Sequence, residues 1–266
     1  MKFHIITIFS ILLFTQNCRW DSKEGISSNF KMMFSVLSAV QPKVSSVLPK
    51  DKSTGNYRNT QIVIVLNTDM NTDTLKTALS VKSDQGAVTG DISFDGTKVV
   101  TFVPKTTLNS NTTYTITVGT DAKSDRGVSP SSALTMTFST GTEVDTTAPS
   151  VANTSPADST TGFPVNAAVS VTFTETINPA SFKSSVFTLA GGSIAGTATL
   201  QEGTVNFKSS SNLPPNTVIA ARIASGLKDM AGNATAVSYT WIFTTGTKEA
   251  TVCRYTSDKF NDCLYQ

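Results

Sequence analysis

Along most of this chain, hydrophobic and hydroxyl-bearing residues alternate one by one. Tyr114, Ile116 and Val118 are separated by Thr115 and Thr117, and Leu134, Met136 and Phe138 by Thr135 and Thr137. Val169, Val171 and Phe173 repeat the pattern, as do Tyr239, Trp241 and Phe243. A period of two puts the apolar set on one face of a strand and the hydroxyls on the other, which suits antiparallel sheets packed face to face. Turn-forming runs separate these segments at short intervals, among them Asp95-Gly96, Asn109-Ser110-Asn111 and Pro214-Pro215-Asn216. The pattern predicts an all-β chain built from about seven short strands per hundred residues, the strand density of an immunoglobulin-like sandwich.

The pattern also occurs twice. Pro42-Lys43-Val44 through Pro49-Lys50-Asp51 returns as Pro149-Ser150-Val151 through Pro156-Ala157-Asp158, an offset of 107 that also aligns Gly55 with Gly162, Asn59 with Asn166 and Asn71 with Asn178. Later in each unit the offset is 105, aligning Leu108 with Leu213, Asn111 with Asn216, Gly127 with Gly232 and Phe138 with Phe243. Two tandem domains follow, residues 42–143 and 149–247. The segment Glu143 to Pro149 is a short linker that limits hinge motion between them.

Before the first unit the character changes. Met1-Lys2 and the apolar run Ile5 to Phe14 form the basic and hydrophobic regions of a secretory signal, and the run is too short to span a bilayer. The segment closes at Cys18, preceded by Thr15-Gln16-Asn17, and resembles a relaxed bacterial lipobox of the spirochaetal kind, with Thr15 where Leu is usual. The resemblance implies removal of residues 1–17, acylation of Cys18 and a membrane held through the N-terminal lipid. Residues 18–41 are then a lipidated tether, in which Phe30, Met33, Phe34 and Leu37 fall on one face of a short helix, either packed on the first domain or docked elsewhere.

Charge and chemistry narrow the function. Removing residues 1–17 takes away one basic residue, Lys2, and no acidic one, leaving 20 basic side chains against 19 acidic. Such a balance provides no electrostatic footprint for nucleic acid. The chain's single histidine, His4, lies in the segment to be cleaved, which removes the usual general base, the nucleophile-activating imidazole and His-ligated zinc. A glycosidase-type carboxylate pair would remain, but neither Glu175 nor Glu202 has a sequence context that singles it out. The expectation is a protein that binds or spaces, not an enzyme.

Two further groups stand out. Asp229 and Asn233, with Asp158, offer hard oxygens of the kind calcium prefers, although Asx residues beside glycine are also what a tight turn requires. No other cofactor is expected. Cys253 and Cys263 form an even pair in an oxidising compartment, which predicts a disulfide in the tail, residues 248–266. The tail's Tyr255, Phe260 and Tyr265 either pack on the last domain or form a recognition knob.

Four segments together look like the bacterial Ig-like domain of S-layer and other surface proteins: Ser155 to Asp158; Val169 to Phe173 with Ile177-Asn178-Pro179-Ala180; Gly226 to Asn233; and Trp241 to Gly246. The first unit is a weaker copy, with Lys123-Ser124-Asp125-Arg126-Gly127 in place of Asp229 to Asn233. The resemblance implies adhesive or spacer modules outside the cytoplasm, partnered by a host or envelope protein or a glycan, with no catalytic residue to carry over. A structural spacer without a ligand, or a carbohydrate-active accessory protein, would show the same pattern.

Overall fold

The predicted alternation becomes burial. In a computed structural model that describes residues 40–250, β8 (Thr113–Val118) buries Tyr114, Ile116 and Val118 and turns its threonines outward. Its neighbour β9 (Leu134–Thr140) buries Met136 and Phe138. Cys18, Cys253, Cys263, the tether and the tail aromatics lie outside the described residues.

Nine strands form the first sandwich. One sheet has the order β1-β3-β7-β6, made of β1 (Val44–Leu48), β3 (Ile62–Leu66), β7 (Val99–Pro104) and β6 (Gly90–Asp95). The other has the order β2-β9-β8-β4-β5, adding β2 (Ser53–Asn56), β4 (Leu79–Ser83) and β5 (Gly86–Ala87). Ile62, Ile64, Val100 and Phe102 from the first sheet meet Tyr114, Ile116 and Phe138 from the second in one buried cluster. The rings of Tyr114 and Phe138 stack at 5.4 Å. One pairing departs from the antiparallel expectation. β2 runs parallel to β9, because it continues β1 onto the opposite sheet instead of returning as a hairpin.

The second sandwich has seven strands. β10 (Val151–Ser155), β11 (Val169–Phe173), β14 (Thr204–Ser209) and β13 (Gly196–Gln201) form one sheet in that order. β12 (Phe187–Leu189), β15 (Val218–Ile223) and β16 (Tyr239–Thr244) form the other. Val169, Val171, Phe173, Val205 and Phe207 pack against Ile219, Ala221, Ile223, Trp241 and Phe243 in a cluster separate from the first. Tyr239, expected on the inner face, sits at the strand entrance, 40% exposed, with its ring 5.9 Å from that of Trp241.

The residues that align between the repeats do equivalent work in both. Asn71 caps α1 (Thr72–Ala78) by accepting from the Thr74 amide at 3.1 Å, and Asn178 caps the 3-10 turn Pro179–Ser181 by accepting from Ala180 at 2.9 Å. Caps of this kind satisfy amides that have no partner within the helix. Thr140 and Thr245 are buried and hydrogen-bond the preceding loop, donating to Asn109 and Pro214 carbonyls and accepting from Thr112 and Thr217 amides. Asn59 grips the chain leaving the first sandwich: its Nδ2 donates to the Asp145 carbonyl at 2.7 Å and its Oδ1 accepts from the Asp145 amide at 2.9 Å. Asn166 holds Ala250 by the same two bonds. Asn59 thereby draws Asp145, part of the predicted linker, against the first sandwich.

Because the two apolar clusters share no residue, each repeat should fold alone. The fragments 41–148 and 149–250, expressed separately, are expected to give cooperative thermal transitions by circular dichroism. A fragment that fails to melt cooperatively would mean its core depends on its neighbour.

Candidate functional site

The two sandwiches meet at a junction assembled from Asn59, Gln61 and Asp145 on one side and the segments 175–183 and 228–233 on the other. β11 ends at Phe173, and the chain then runs through Glu175 to Ile177, which forms a bridge with Asp229. Asp229 organises the loop that follows it. The amides of Ala231, Gly232 and Asn233 donate to its Oδ1 at 2.8, 2.6 and 2.8 Å, and Asn233 Nδ2 donates to its Oδ2 at 2.8 Å. Four donors explain why a carboxylate with no exposed surface is tolerated there.

The loop is keyed to the first sandwich. The Gln61 amide donates to the Met230 carbonyl at 2.6 Å, and Asn178 Nδ2 donates to Gln61 Oε1 at 2.9 Å. Asn233 Nδ2 also reaches the Asp145 carbonyl at 3.2 Å. Gly232 has φ +96°, so the turn requires glycine, and a Cβ there would stand 2.8 Å from Gln61 Nε2 and push the end of that side chain aside. Lys183 pairs with Asp95, and Lys50 with Glu202 at 2.7 Å, across the same junction. Lys50 and Glu202 are both more than half exposed, so that pair contributes at most about 1 kcal/mol.

Three carboxylates converge here. One oxygen from each of Asp145, Glu175 and Asp229 lies within 4.8 Å of the others. Asp145 is buried, with the Thr147 amide donating to its Oδ1 at 2.9 Å. Glu175 is half-buried, and its carboxyl group faces those of Asp229 and Asp145. Burial, followed by the negative charges of Asp229 and then Asp145, pushes the Glu175 carboxyl up to about 7. Below that pH, Glu175 carries a proton and can donate it in a hydrogen bond to either neighbour.

Asp145 and Glu175 border a cleft of about 420 Å³ between the sandwiches, with Asp229 buried behind them. Leu48, Pro49 and Tyr57 line it from the first sandwich, and Glu202, Met230 and Ala231 from the second. The structure brings together Asp229 and Asn233, the two sequence-singled residues of the glycine turn, and holds them in a hydrogen-bonded loop. It places Asp158 elsewhere: its Oδ1 accepts from the Ile242 amide on β16 at 2.9 Å, just as Asp51 accepts from Thr137 on β9. A hard-cation set, if one forms, draws on Asp145, Glu175 and Asp229. Sequence reasoning missed Asp145 and Glu175. A partial signal was present, because at offsets of 107 and 105 Glu175 aligns with Thr68 and Asp229 with Ser124, two positions at which the first repeat has an uncharged residue.

Paired sandwiches sharing a repeated pattern of loop bonds define a tandem immunoglobulin-like β protein. The family model described as Bacterial Ig-like domain matches residues 38–140 and 145–245, and the chain belongs to that family. No curated protein matches the chain. Among solved structures, domains 1–6 of the surface layer protein SbsC align with 82% of this chain at 15% identity and TM-score 0.33. L,D-transpeptidase 3 from Mycobacterium tuberculosis aligns with 51% at 19% identity and TM-score 0.26. The E. coli alpha-2-macroglobulin aligns with 80% at 14% identity and TM-score 0.31. This chain spans 48% of that transpeptidase, 27% of the SbsC chain and 14% of the macroglobulin.

Proposed function

We propose that this is a lipid-anchored envelope protein whose paired Ig-like domains bind a macromolecule outside the cytoplasm and carry out no catalysis. The observation that carries the binding reading is the junction: two modules tied by Gln61, Asn178 and Asn233 hold open a cleft with charged and apolar walls. Interfaces between modules are where binding clefts form preferentially. Anchoring rests on Lys2, the run Ile5 to Phe14 and Cys18, and the non-enzymatic reading on a chain with one histidine, placed inside that signal.

Three experiments test this. Protease shaving of intact cells should release fragments of residues 41–250, and the soluble chain should retain an envelope or host macromolecule on a column. A chain that is exposed yet retains nothing is a spacer. Cys18→Ser should abolish partitioning into detergent and leave the circular dichroism spectrum unchanged, because two or three acyl chains, at about 0.8 kcal/mol per buried CH₂, supply the membrane affinity. Continued partitioning of the variant would mean that another segment anchors the protein.

A further inference from the structure

We propose that the junction is a pH-sensitive hinge: a proton that Glu175 shares with Asp145 and Asp229 latches the two sandwiches together, and its loss lets them move against each other. This goes beyond the binding reading, since it concerns how rigidly the walls of the cleft are held and not what the cleft takes.

The three carboxylates move with two different bodies. Asp145 lies on the chain leaving the first sandwich, and both bonds from Asn59 fasten its backbone there. Asp229 is fixed in the second sandwich by the amides of its own loop and by the bridge between it and Ile177. Glu175 stands between that bridge and the end of β11, so it too belongs to the second sandwich. The contact of Glu175 with Asp145 therefore spans the junction, whereas its contact with Asp229 does not.

Protonated, Glu175 donates to a neighbouring carboxylate, and a bond of that kind is strong because its acceptor is ionised. Once ionised itself, it presses a like charge against Asp145 across the junction. The surroundings do not cancel this. Among the described residues, the other titratable or charged groups bordering the cleft are Tyr57, Glu202 and Lys50, and Lys50 is paired with Glu202 at 2.7 Å. Lys183 is paired with Asp95. Burial, then Asp229, then Asp145 set the titration of Glu175 at about 7, so the latch is lost near neutrality.

What then remains is a polar junction. Gln61 bonds to Met230 and to Asn178, and Asn233 Nδ2 reaches the Asp145 carbonyl at 3.2 Å. The two apolar clusters are closed within their own sandwiches, so opening the junction uncovers neither core. Relative motion is expected of domains whose interface is not large and hydrophobic.

Amide hydrogen exchange of the full chain carrying Cys18→Ser, read by NMR between pH 5.5 and pH 8 and corrected for the intrinsic effect of pH, tests the hinge. The Gln61 amide donates across the junction and reports its opening, while the Ile64 and Val171 amides, on the inner strands β3 and β11, report unfolding of each sandwich. Gln61 should be protected less than Ile64 and Val171 throughout. Its protection should fall about fivefold from pH 5.5 to pH 8, a modest factor because Glu175 is partly exposed. In Glu175→Gln, where a neutral amide supplies N–H donors to both neighbours, Gln61 should keep its acid-side protection at pH 8. Asp145→Asn leaves the backbone bonds to Asn59 in place and removes one charge facing Glu175, so the loss should begin at lower pH. Protection of Gln61 equal to that of Ile64 and Val171 would overturn the hinge, because the junction would then open only with unfolding. Protection of Gln61 independent of pH in the parent, the same fall in Glu175→Gln, or an unmoved onset in Asp145→Asn would each overturn the latch.

Discussion

Replacing Asp229 with alanine is expected to destabilise the second sandwich by about 3–5 kcal/mol, since it strands buried amides that each cost roughly 1–3 kcal/mol when unpaired. Three backbone N–H groups and the Asn233 amide depend on this one carboxylate, which has no exposed surface. The loss also reaches the junction, because the same loop presents Met230 and Asn233 to Gln61 and Asp145. One effect opposes it. Removing Asp229 relieves the repulsion on Glu175, but for a partly exposed group that relief is of order 1 kcal/mol, so the lost hydrogen bonds win. At roughly 4–8 °C per kcal/mol for a domain of about 100 residues, the melting transition of the second sandwich should fall by at least about 12 °C. Asp229→Asn separates the two contributions: it keeps an oxygen for the three amides while removing the charge, so it should lose much less. An alanine variant that melts like the parent would show that the loop holds its shape without the carboxylate.

Glu175→Gln is expected to stabilise the protein, and only at higher pH. The folded-state carboxyl titrates near 7, against 4.5 for an unperturbed glutamate. Between those values the folded chain holds a proton that the unfolded chain has released, so stability falls as pH rises from about 4.5 and levels off above about 7. Glutamine is neutral throughout and mimics the protonated form. The variant should therefore melt within error of the parent at pH 5 and a few degrees higher at pH 8, a difference of roughly 1 kcal/mol once solvent screening is allowed for. A stabilisation already present at pH 5, or none at pH 8, would mean that Glu175 does not hold its proton against Asp229 and Asp145 in the folded chain.

Much of the architecture was legible because strand structure is written at short range. Val169-Ser170-Val171-Thr172-Phe173 announces a half-buried strand by its alternation alone, and the structure buries the three apolar residues it marks. The internal repeat was informative for the same reason. Aligned pairs such as Asn71 and Asn178, or Asn59 and Asn166, proved to be caps and clamps whose partners lie at equivalent places in both sandwiches. α1 was not foreseen, since seven residues carry too little periodicity to rise above the surrounding strand pattern.

The site was another matter. Asp229 and Asn233 are four residues apart and were visible as a turn, but Asp158, chosen with them for its chemistry, serves β16 instead. Asp145 and Glu175 had no sequence mark as partners of Asp229, from which they are separated by 84 and 54 positions. The sequence alone determined the alternating strands and the two repeats, because each depends on neighbours within a few residues or on a pattern stated twice. Only the tertiary structure decided which carboxylates meet. That meeting depends on Asn59 drawing the linker back and on Gln61 docking the far loop, and long-range contacts of that kind leave no periodic trace in the chain.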